Sequence, residues 1–350
     1  MKTNKLEEIK YFLKYYDGPD MNIMEVCGSH TRAIAENGIP GMLSERIHLL
    51  SGPGCPVCVA PSSYIDRLIE LALEPKTVVA AFGDLIRVPG SERSLSEAKG
   101  EGAKVEMLYS PLDMLELATQ NPDRLYVFAA VGFETTAPVF AELLHRAEEE
   151  GVENIRLLTA IKTMPPVIQY LMEADAPIDG FLAPGHVSVI TGSDAFLPLA
   201  KRYDIPFVVS GFSGERLLLA LYDLVSCRGR GVVRNDYPSV VSAEGNLAAK
   251  AEVNRYFETA TAVWRGMGAI PNSGLILKEK YKKYDAGSET LTEDKRKNKA
   301  CICHEILAGK KKPFECALFG KICTPLQPQG ACMVSQEGSC FSYYSHQRER

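Results

Sequence analysis

The stretch Gly52-Pro53-Gly54-Cys55-Pro56-Val57-Cys58 places two thiols three positions apart in a turn dense with glycine and proline. Residues 47–51 before it form an apolar run typical of a short buried strand, and residues 61–73 after it repeat apolar side chains with a helical period. The sequence therefore predicts a dithiol at a strand-to-helix turn. Amide donors at a helix N-terminus stabilise a thiolate, so we expect the pKa of a cysteine at this position to be lowered.

A C-x-x-C pair supports several chemistries. It can close into a disulfide, hold one edge of a metal site, or consist of two buried structural thiols. We interpret Cys55 and Cys58 as a redox or metal pair, because a helix start activates one thiol and the short spacing keeps the other within reach. Two inert buried thiols are the alternative at this stage.

A second thiol site occupies an equivalent place upstream. Residues 21–26 are predicted as a strand, Cys27 follows it, and the next helix begins near residue 33. Cys27 thus repeats the placement of Cys55 at the carboxyl end of a strand. His30 lies three residues further on, where its ring can contact the Cys27 sulfur or share a metal with it. A helix-cap or turn role is the alternative for His30.

The alternation of strand, glycine-rich turn and helix continues through the first two thirds of the chain. Further strands are predicted at residues 77–82, 104–109, 125–131, 154–161, 180–183 and 206–209. This repetition predicts an α/β fold in which parallel sheets are flanked by helices. We expect two similar lobes, residues 1–120 and 121–226, which meet at Asn121-Pro122.

Unusual polar residues follow several of these predicted strands. Glu134, Thr135 and Thr136 come after the strand at 125–131, and His186 comes after the strand at 180–183. Ligands in such folds bind beyond the carboxyl ends of the strands, so we expect these residues and the strand-end thiols to share a cleft between the lobes. The hydroxyls and amides of the 134–136 turn can bind an anion, and capping of the next helix is the alternative.

Composition narrows the possible functions. The 350 residues are 46% hydrophobic, enough for two or three domains, and the net charge of -5 gives no reason to expect nucleic acid or an anionic membrane as a partner. No apolar run approaches the roughly 20 residues that span a bilayer, and the first residues lack the apolar core of a signal peptide. Ten cysteines in such a chain favour metal or redox use in the cytoplasm over a disulfide scaffold.

The pattern changes beyond residue 226. Residues 227–299 are predicted as a helical connection, with a long helix at 243–267 and a charged, solvated linker at 278–299. Residues 300–350 form a predicted small metal domain that holds six of the ten cysteines. These are Cys301, Cys303, Cys316, Cys323, Cys332 and Cys340.

The last four cysteines are separated by six, eight and seven residues. They lack the paired knuckles that are typical of small zinc modules. Thiolates on irregular loops containing glycine and proline suit an iron–sulfur cluster, which is the interpretation we favour, with zinc or no metal as alternatives. Cys301 and Cys303 can supply ligands instead or form a second redox pair.

Five motifs together resemble those of the HypD family, maturation factors of nickel–iron hydrogenases. They run in order from residue 27 to residue 340 and cover nearly the whole chain. In this sequence they are Cys27-Gly28-Ser29-His30-Thr31, Gly52-Pro53-Gly54-Cys55-Pro56-Val57-Cys58, Gly132-Phe133-Glu134-Thr135-Thr136, Pro184-Gly185-His186-Val187-Ser188, and Gly330-Ala331-Cys332-Met333-Val334-Ser335 with Glu337, Gly338 and Cys340. Two positions depart from the pattern: Arg32 stands where a second histidine often follows, and His304 stands where a glycine often follows the C-x-C.

The resemblance implies two α/β lobes and a small C-terminal domain with a 4Fe–4S cluster. It also implies a complex with a HypC-like small chaperone and a HypE-like cyanide donor, in which an iron receives one carbon monoxide and two cyanides. By motif, Cys27 would hold this iron with His30 beside it, and Cys55 and Cys58 would be the redox dithiol. The implied cluster ligands are Cys316, Cys323, Cys332 and Cys340.

Three classes of function follow from these observations. The favoured one is a redox-active scaffold for metallocofactor assembly, in which the soft Cys27 thiolate suits low-spin iron and His186, Thr135 and Thr136 supply directed donors. The second is a stand-alone iron–sulfur thiol oxidoreductase resembling ferredoxin-dependent reductases. The third is an α/β binding protein with a structural zinc tail. A requirement for Cys27 separates the first two classes, and iron content separates the third from both.

Overall fold

The computed structural model describes residues 3–174, 176–291 and 298–346. The strands, in chain order, are β1 (Met21–Glu25), β2 (Ile47–Ser51), β3 (Thr77–Ala81), β4 (Val105–Met107), β5 (Leu125–Gly132), β6 (Ile155–Lys162), β7 (Gly180–Ala183), β8 (Phe207–Val209), β9 (Val233–Asn235), β10 (Phe257–Trp264) and β11 (Gly268–Leu277). The predicted strands at 47–51 and 180–183 are confirmed with unchanged bounds.

Helices alternate with these strands along most of the chain. The α-helices are α1 (Thr3–Lys14), α2 (Gly28–Glu36), α3 (Pro56–Val59), α4 (Ser62–Leu73), α5 (Gly83–Ile86), α6 (Leu95–Lys99), α7 (Asp113–Gln120), α8 (Ala137–Glu150), α9 (Met164–Glu173), α10 (Gly185–Thr191), α11 (Leu197–Tyr203), α12 (Gly214–Ser226), α13 (Leu247–Tyr256), α14 (Cys303–Leu307) and α15 (Ser339–His346). Short 3-10 helices lie at Ile39–Met42, Ser193–Phe196, Glu279–Tyr284, Ser288–Thr290, Pro313–Glu315 and Ala331–Met333.

The strands form two sheets. The first sheet has the order β2-β1-β7-β8-β9, and all its strand pairs are parallel. The second sheet has the order β10-β11-β6-β5-β3-β4, in which β4, β3, β5 and β6 are parallel and β10 and β11 form an antiparallel edge. The predicted α/β class, with parallel-dominated sheets flanked by helices, is confirmed.

Each sheet takes strands from both predicted lobes. β1 and β2 join β7, β8 and β9, whereas β3 and β4 join β5 and β6, so the division at residue 120 does not separate the sheets. The chain crosses between the sheets in segments 52–76, 163–179 and 236–256. Asn121-Pro122 lies in the turn from α7 into β5, within the second sheet. The physical reason is backbone pairing of β3 with β5, from Thr77 opposite Leu125 onward, which joins strands on both sides of this turn.

Side chains on the strands alternate between apolar layers. On β3, Val79 faces an inner core between the sheets, while Val78 faces an outer core under α7 and α8. On β8, Phe207 faces the same inner core, while Val208 faces a layer that includes α1 and α12. The inner core is therefore shared by both sheets, and the C-x-x-C crossover passes through it.

The predicted helix at 243–267 is wrong outside Leu247–Tyr256, the span of α13. The chain continues as β10, turns back as β11 and pairs with it antiparallel. Gly266 (φ 72°) and Gly268 (φ 82°) supply the left-handed conformations that this tight turn requires. Since β11 also pairs with β6, the hairpin extends the second sheet.

The segment predicted as a solvated linker, 278–299, packs on the second sheet where the structure describes it. Tyr281 and Tyr284 are buried in the outer core, and the Thr159 amide donates to Ser288 Oγ at 2.8 Å. Its residues 292–297 lie outside the described part of the chain. The tail from residue 298 packs into the inner core with both sheets. No helix in the described ranges is both long enough and apolar enough to cross a membrane.

Candidate redox and metal-binding site

Cys27 lies where β1 ends and α2 begins, as predicted. It is buried, and its carbonyl accepts the amides of His30 (2.9 Å) and Thr31 (3.0 Å) in the first turn of the helix. Its own amide donates to Glu25 Oε2 at 3.2 Å. Backbone hydrogen bonds on both sides therefore hold this thiol in place.

Glu25 is a buried carboxyl beside the thiol. Its Oε1 accepts from Thr31 Oγ1 at 2.6 Å, and burial raises its pKa to about 8. Burial also raises the pKa of Cys27 to about 12, although the thiol lies at a helix start. Desolvation outweighs the amides because the thiol is almost inaccessible to water. Both groups keep their protons at neutral pH, so metal binding at Cys27 must displace a proton.

The buried ring of His30 contacts the loop after β8. Its Nε2 lies 3.2 Å from the Ser210 carbonyl oxygen, which can only accept, so Nε2 carries the proton. Nδ1 is a buried acceptor with no partner in the described ranges. Burial, opposed by the bond to Ser210, lowers the pKa of His30 to about 4. The ring is therefore neutral, with one bare nitrogen that can bind a metal.

One aromatic ring bridges His30 and His186. The Phe212 ring centroid lies 4.8 Å from that of His30 and 4.2 Å from that of His186. His186 follows β7 and is exposed, and partial burial lowers its pKa while Glu337 acts in the opposite direction. The structure thus brings Cys27, His30 and His186 together at the carboxyl edge of the first sheet.

Cys55 and Cys58 form a disulfide at the start of α3, where β2 ends. Of the three predicted alternatives for the pair, the structure shows this one. The loop lies directly on the Cys27 turn, since the Gly28 amide donates to the Gly54 carbonyl at 3.1 Å. Any side chain at Gly54 would collide with the backbone of Cys27, so glycine is required for this approach. The two loops pack backbone to backbone, which sets the disulfide beside the strand-end thiol.

Residues 334–337, here named the tail strap, cover the Cys27 turn. Ser29 Oγ donates to Glu337 Oε1 at 2.8 Å. Glu337 packs so closely on Gly28 that a side chain there would collide with it. The strap makes three further bonds, which are Ser335 Oγ to Asp84 (2.7 Å), Arg32 to Gln336 (2.9 Å) and Arg87 to the Val334 carbonyl (3.3 Å). The tail is therefore tied to the turns that follow β1 and β3.

The tail cysteines line one buried cavity, here named the cysteine cavity. Its thiols are Cys301, Cys303, Cys316, Cys323, Cys332 and Cys340. Side-chain contacts couple Cys301 to Cys303, Cys303 to Cys332 and Cys332 to Cys340. The hydrogen bond to Cys303, together with burial, raises the pKa of the Cys301 thiol. The structure gathers the four predicted cluster ligands and adds Cys301 and Cys303 to the same wall.

The donor set of the cysteine cavity suits a soft metal group. Its thiols are buried, and Ile306, Phe319 and Met333 complete an apolar wall. Within residues 3–174, 176–291 and 298–346, no group of three or more His, Cys, Asp or Glu side chains has the geometry to hold a metal ion. The donor chemistry therefore fits a thiolate-bound group, while the sulfur atoms do not converge on one ion.

The cysteine cavity also reaches the disulfide. Cys58 Sγ lies 3.9 Å from the carbonyl oxygen of Ala331, the residue before Cys332. Because the C-x-x-C loop packs on Cys27 through Gly54, three thiol sites lie in series. They are Cys27, the Cys55–Cys58 disulfide and the cysteine cavity.

The 134–136 turn at the end of β5 makes its own set of contacts. Glu134 is buried, its Oε1 accepts the Met164 amide at 2.7 Å, and its Oε2 has no partner among the described residues. Burial raises its pKa to about 7. Thr136 occupies the N-cap of α8, but its hydroxyl donates to the Phe133 carbonyl at 3.0 Å instead of capping the helix. In the part of the chain that the structure describes, no hydrogen bond or ring contact joins this turn to Cys27.

Three residues shape the site although the sequence motifs gave them no predicted role. Glu25 has a visible signal, since an acidic residue inside an apolar strand indicates a special environment. Glu337 lies in a quoted motif but reaches Ser29 only through the tail strap. Arg265 lies in the β10–β11 turn and bonds to Ala60, a contact for which the sequence carries no signal.

The two departures from the family pattern have ordinary packing roles. Arg32 is exposed, pairs with Glu36 at 2.6 Å and holds Gln336 of the tail strap. His304 packs its Cβ against Gly266, where a side chain would collide with it. Both residues thus join the tail to the rest of the molecule.

Fold and site together define a class of protein: an α/β protein of two parallel-dominated sheets that carries a strand-end thiol, a disulfide and a multi-cysteine cavity in series. A family model described as HypD, "Hydrogenase formation hypA family", matches residues 2–347. The chain is 44% identical over 340 residues to "Hydrogenase maturation factor HypD" of Azotobacter vinelandii, covering 94% of this chain and 90% of that protein.

Two further relatives carry the same description. The Escherichia coli protein is 40% identical over 354 residues, which cover 98% of this chain and 94% of that protein. The Cupriavidus necator protein is 39% identical over 344 residues, which cover 95% and 91%. The chain belongs to the HypD family of hydrogenase maturation factors, and the family prediction made from the five motifs is confirmed.

Proposed function

We propose that this chain is the scaffold on which an iron receives one carbon monoxide and two cyanides, in complex with a HypC-like small chaperone and a HypE-like cyanide donor. Membership of the HypD family supports the broad role in hydrogenase maturation. The finer proposal depends on one observation, the series of three thiol sites with the disulfide in the middle. This chemistry needs reduced thiols, so we assign it to the cytoplasm, where thiols are kept reduced.

Cys27 would bind the iron cargo. A thiolate is a soft ligand that suits low-spin iron carrying carbon monoxide and cyanide. The thiol must lose its proton on binding. His186, which lies near His30 through Phe212, would supply a directed donor to the small ligands on the iron.

Once reduced, the Cys55–Cys58 pair would store two electrons next to this site. Its reduction takes up two electrons and two protons and leaves two thiols. The Cys58 thiol formed in this way would have the Ala331 carbonyl as a hydrogen-bond acceptor. Reduction of the disulfide would therefore add a hydrogen bond between Cys58 and the tail.

The cysteine cavity would hold a 4Fe–4S cluster. Its buried thiols and apolar wall fit such a group. When bound, the cluster supplies single-electron chemistry beside the two-electron disulfide. Cys301 and Cys303 would complete the wall, and the proposed ligands are Cys316, Cys323, Cys332 and Cys340.

Infrared spectroscopy tests the scaffold proposal. The chain is purified anaerobically alone and together with its small partner, and the stretching bands of carbon monoxide and cyanide are recorded. We expect bands of both ligands in the complex, because the iron cargo is assembled there. A complex that contains iron but shows neither band would contradict the proposal.

A stand-alone thiol oxidoreductase is the second candidate. The disulfide and the cysteine cavity lie together and would suffice for thiol reduction, without any part for Cys27. Hydrogenase maturation in cells that carry only a Cys27→Ala chain separates the two. Loss of maturation favours the scaffold, whereas wild-type maturation favours the oxidoreductase.

A further inference from the structure

Arg265 is a buried cation beside the chain segment that follows the C-x-x-C pair. It follows β10 in the hairpin turn and is 3% exposed. Its amide donates to the Val59 carbonyl at 2.8 Å, and its Nε donates to the Ala60 carbonyl at 2.7 Å. Nη2 donates to the Pro89 carbonyl at 3.3 Å. The guanidinium therefore clamps the chain directly after the disulfide.

The hydrogen-bond partners of this guanidinium are neutral carbonyls. No carboxylate in residues 3–174, 176–291 and 298–346 lies within ion-pair distance of Arg265. Burying an ion without a counter-charge is costly, because the protein interior solvates it far less well than water does. A buried arginine in this setting calls for an anion nearby.

The neighbouring contacts show where that anion would be. Gly266, the next residue, packs directly against His304, which follows Cys303 in the wall of the cysteine cavity. Gly330 on another wall of the cavity approaches the sulfur atoms of both Cys301 and Cys303.

We propose that Arg265 is the counter-charge of an anionic thiolate–metal group in the cysteine cavity, and that it links this group to the disulfide segment. Four thiolates outweigh the charge of a zinc ion or of an oxidised iron–sulfur core, so either group would be an anion. The proposal rests on the proposed function only in requiring that the cavity bind metal through thiolates. Arg265 acts here as a positioning and electrostatic residue.

Thermal unfolding of metal-free and metal-loaded protein measures this coupling. Anything that binds only the folded state raises Tm, and the rise reports how well that state holds the metal. Arg265→Lys keeps the charge, whereas Arg265→Gln removes it, and both lose the forked bonds to the carbonyls. We expect loading to raise Tm by a similar amount in wild type and Arg265→Lys, and by clearly less in Arg265→Gln. Equal rises in all three chains would overturn the proposal.

Arg87 provides a matched control for Arg265, and Arg265→Met provides a second neutral variant. Arg87 also donates to a tail carbonyl, that of Val334, but it is exposed to solvent, so Arg87→Gln is expected to leave the rise intact. Arg265→Met keeps the apolar stem of the side chain and replaces Arg265→Gln if the latter does not fold. A reduced rise in Arg87→Gln as large as that in Arg265→Gln would overturn the proposal.

The reduction potential of the loaded iron protein gives an independent readout. Reduction adds negative charge to the group, so removal of a buried cation shifts the potential to more negative values. We expect this shift in Arg265→Gln and its absence in Arg265→Lys. Zinc in place of iron would remove the iron–sulfur part of the proposed function, while the unfolding comparison would still decide the role of Arg265. A wild-type cavity that binds no metal would overturn both proposals.

Discussion

Cys27 at the end of β1 and the thiols of the cysteine cavity are both buried, but they are held in different ways. Cys27 is fixed by backbone hydrogen bonds at the end of a paired strand, and the neighbouring loop packs on it through Gly54. The tail thiols lie on short helices and turns, where Cys332 belongs to a three-residue 3-10 helix and contacts other thiols. The geometry of the first region depends on the sheet, whereas the described tail residues belong to neither sheet.

This difference has a consequence for substitution. Removing the Cys27 thiol changes the chemistry at the site and leaves the fold of the sheet that carries it intact. Removing a tail thiol takes away one of the links that give irregular loops a defined structure, because little regular hydrogen bonding replaces it.

The largest effect is expected from Cys332→Ser. We expect this chain to lose nearly all of the iron and acid-labile sulfide that the wild-type tail holds, and to unfold at a lower temperature, because the hydroxyl is a poor substitute for a thiolate. Metal and sulfide assays after anaerobic purification measure the loss. Cys227→Ser is the matched control, since Cys227 is buried at the end of α12, outside the cysteine cavity.

Two results would contradict this picture of the tail. Stoichiometric zinc without sulfide in the wild-type protein would exclude the cluster. Full iron content in Cys332→Ser would mean that Cys301 or Cys303 serves as a ligand in its place, since both line the same cavity.

The second effect separates the two regions most sharply. In Cys27→Ala we expect the carbon monoxide and cyanide bands of the partner complex to disappear, while tail iron and sulfide stay at wild-type levels. The unfolding free energy should fall by only about 1 kcal/mol, because a single sulfur atom is lost from a site that the backbone holds. Infrared spectra and metal assays on one preparation measure both results. Unchanged bands would show that the iron is bound elsewhere.

A third effect concerns the pH dependence of stability at the end of β5. The pKa of Glu134 is raised from 4.5 to about 7, so between these values the folded state keeps a proton that the unfolded state releases. The stabilisation that Glu134 contributes is fully present below pH 4.5 and is lost as the pH rises to about 7. Above pH 7 its contribution does not change further. The loss amounts to about 3 kcal/mol.

Glu134→Gln should remove this part of the decline, since an amide does not titrate in this range, while Glu25, whose pKa is also raised, keeps its own part. Urea unfolding at pH 5 and pH 8 measures the difference for each chain. Glu142→Gln in the following helix is the control, because Glu142 is a partly exposed carboxyl paired with Arg146. Equal pH dependence in wild type and Glu134→Gln would show that Glu134 is ionised in the folded protein.

The smallest effect is expected where the two regions touch. Ser29→Ala removes the hydrogen bond to Glu337 and should cost about 1 kcal/mol of unfolding free energy. It should also speed alkylation of Cys27, because the tail strap is less firmly held. Ser44→Ala loses a comparable bond to the Tyr16 carbonyl far from this site and is the control. An unchanged alkylation rate in Ser29→Ala would mean that the strap does not shield the thiol.

Several features of the fold follow from local sequence alone. The strands at Ile47–Ser51 and Gly180–Ala183 are apolar runs between glycine and proline turns, and such runs have few alternatives to a buried strand. The same local rule places Cys27 and Cys55 at strand ends beside helix starts. Their chemistry as a class, soft thiols near possible metal sites, is also visible from residue type and spacing.

Other features depend on contacts between distant segments. Nothing in residues 77–81 indicates that they pair with β5 and not with β2, since strand pairing is decided by packing of whole faces. The helical pattern before residue 257 continues into a segment that becomes β10 only because β11 is there to pair with it.

The site shows the same division. The sequence by itself determined the family, the alternating α/β order and the thiols that carry the chemistry, because these depend on residue types within short stretches. Only the tertiary structure decided that burial raises the pKa of Cys27, that the disulfide lies between Cys27 and the cysteine cavity, and that Arg265 is buried against the chain after the disulfide. Desolvation and close backbone approach arise only when distant segments pack together, so no local pattern can encode them.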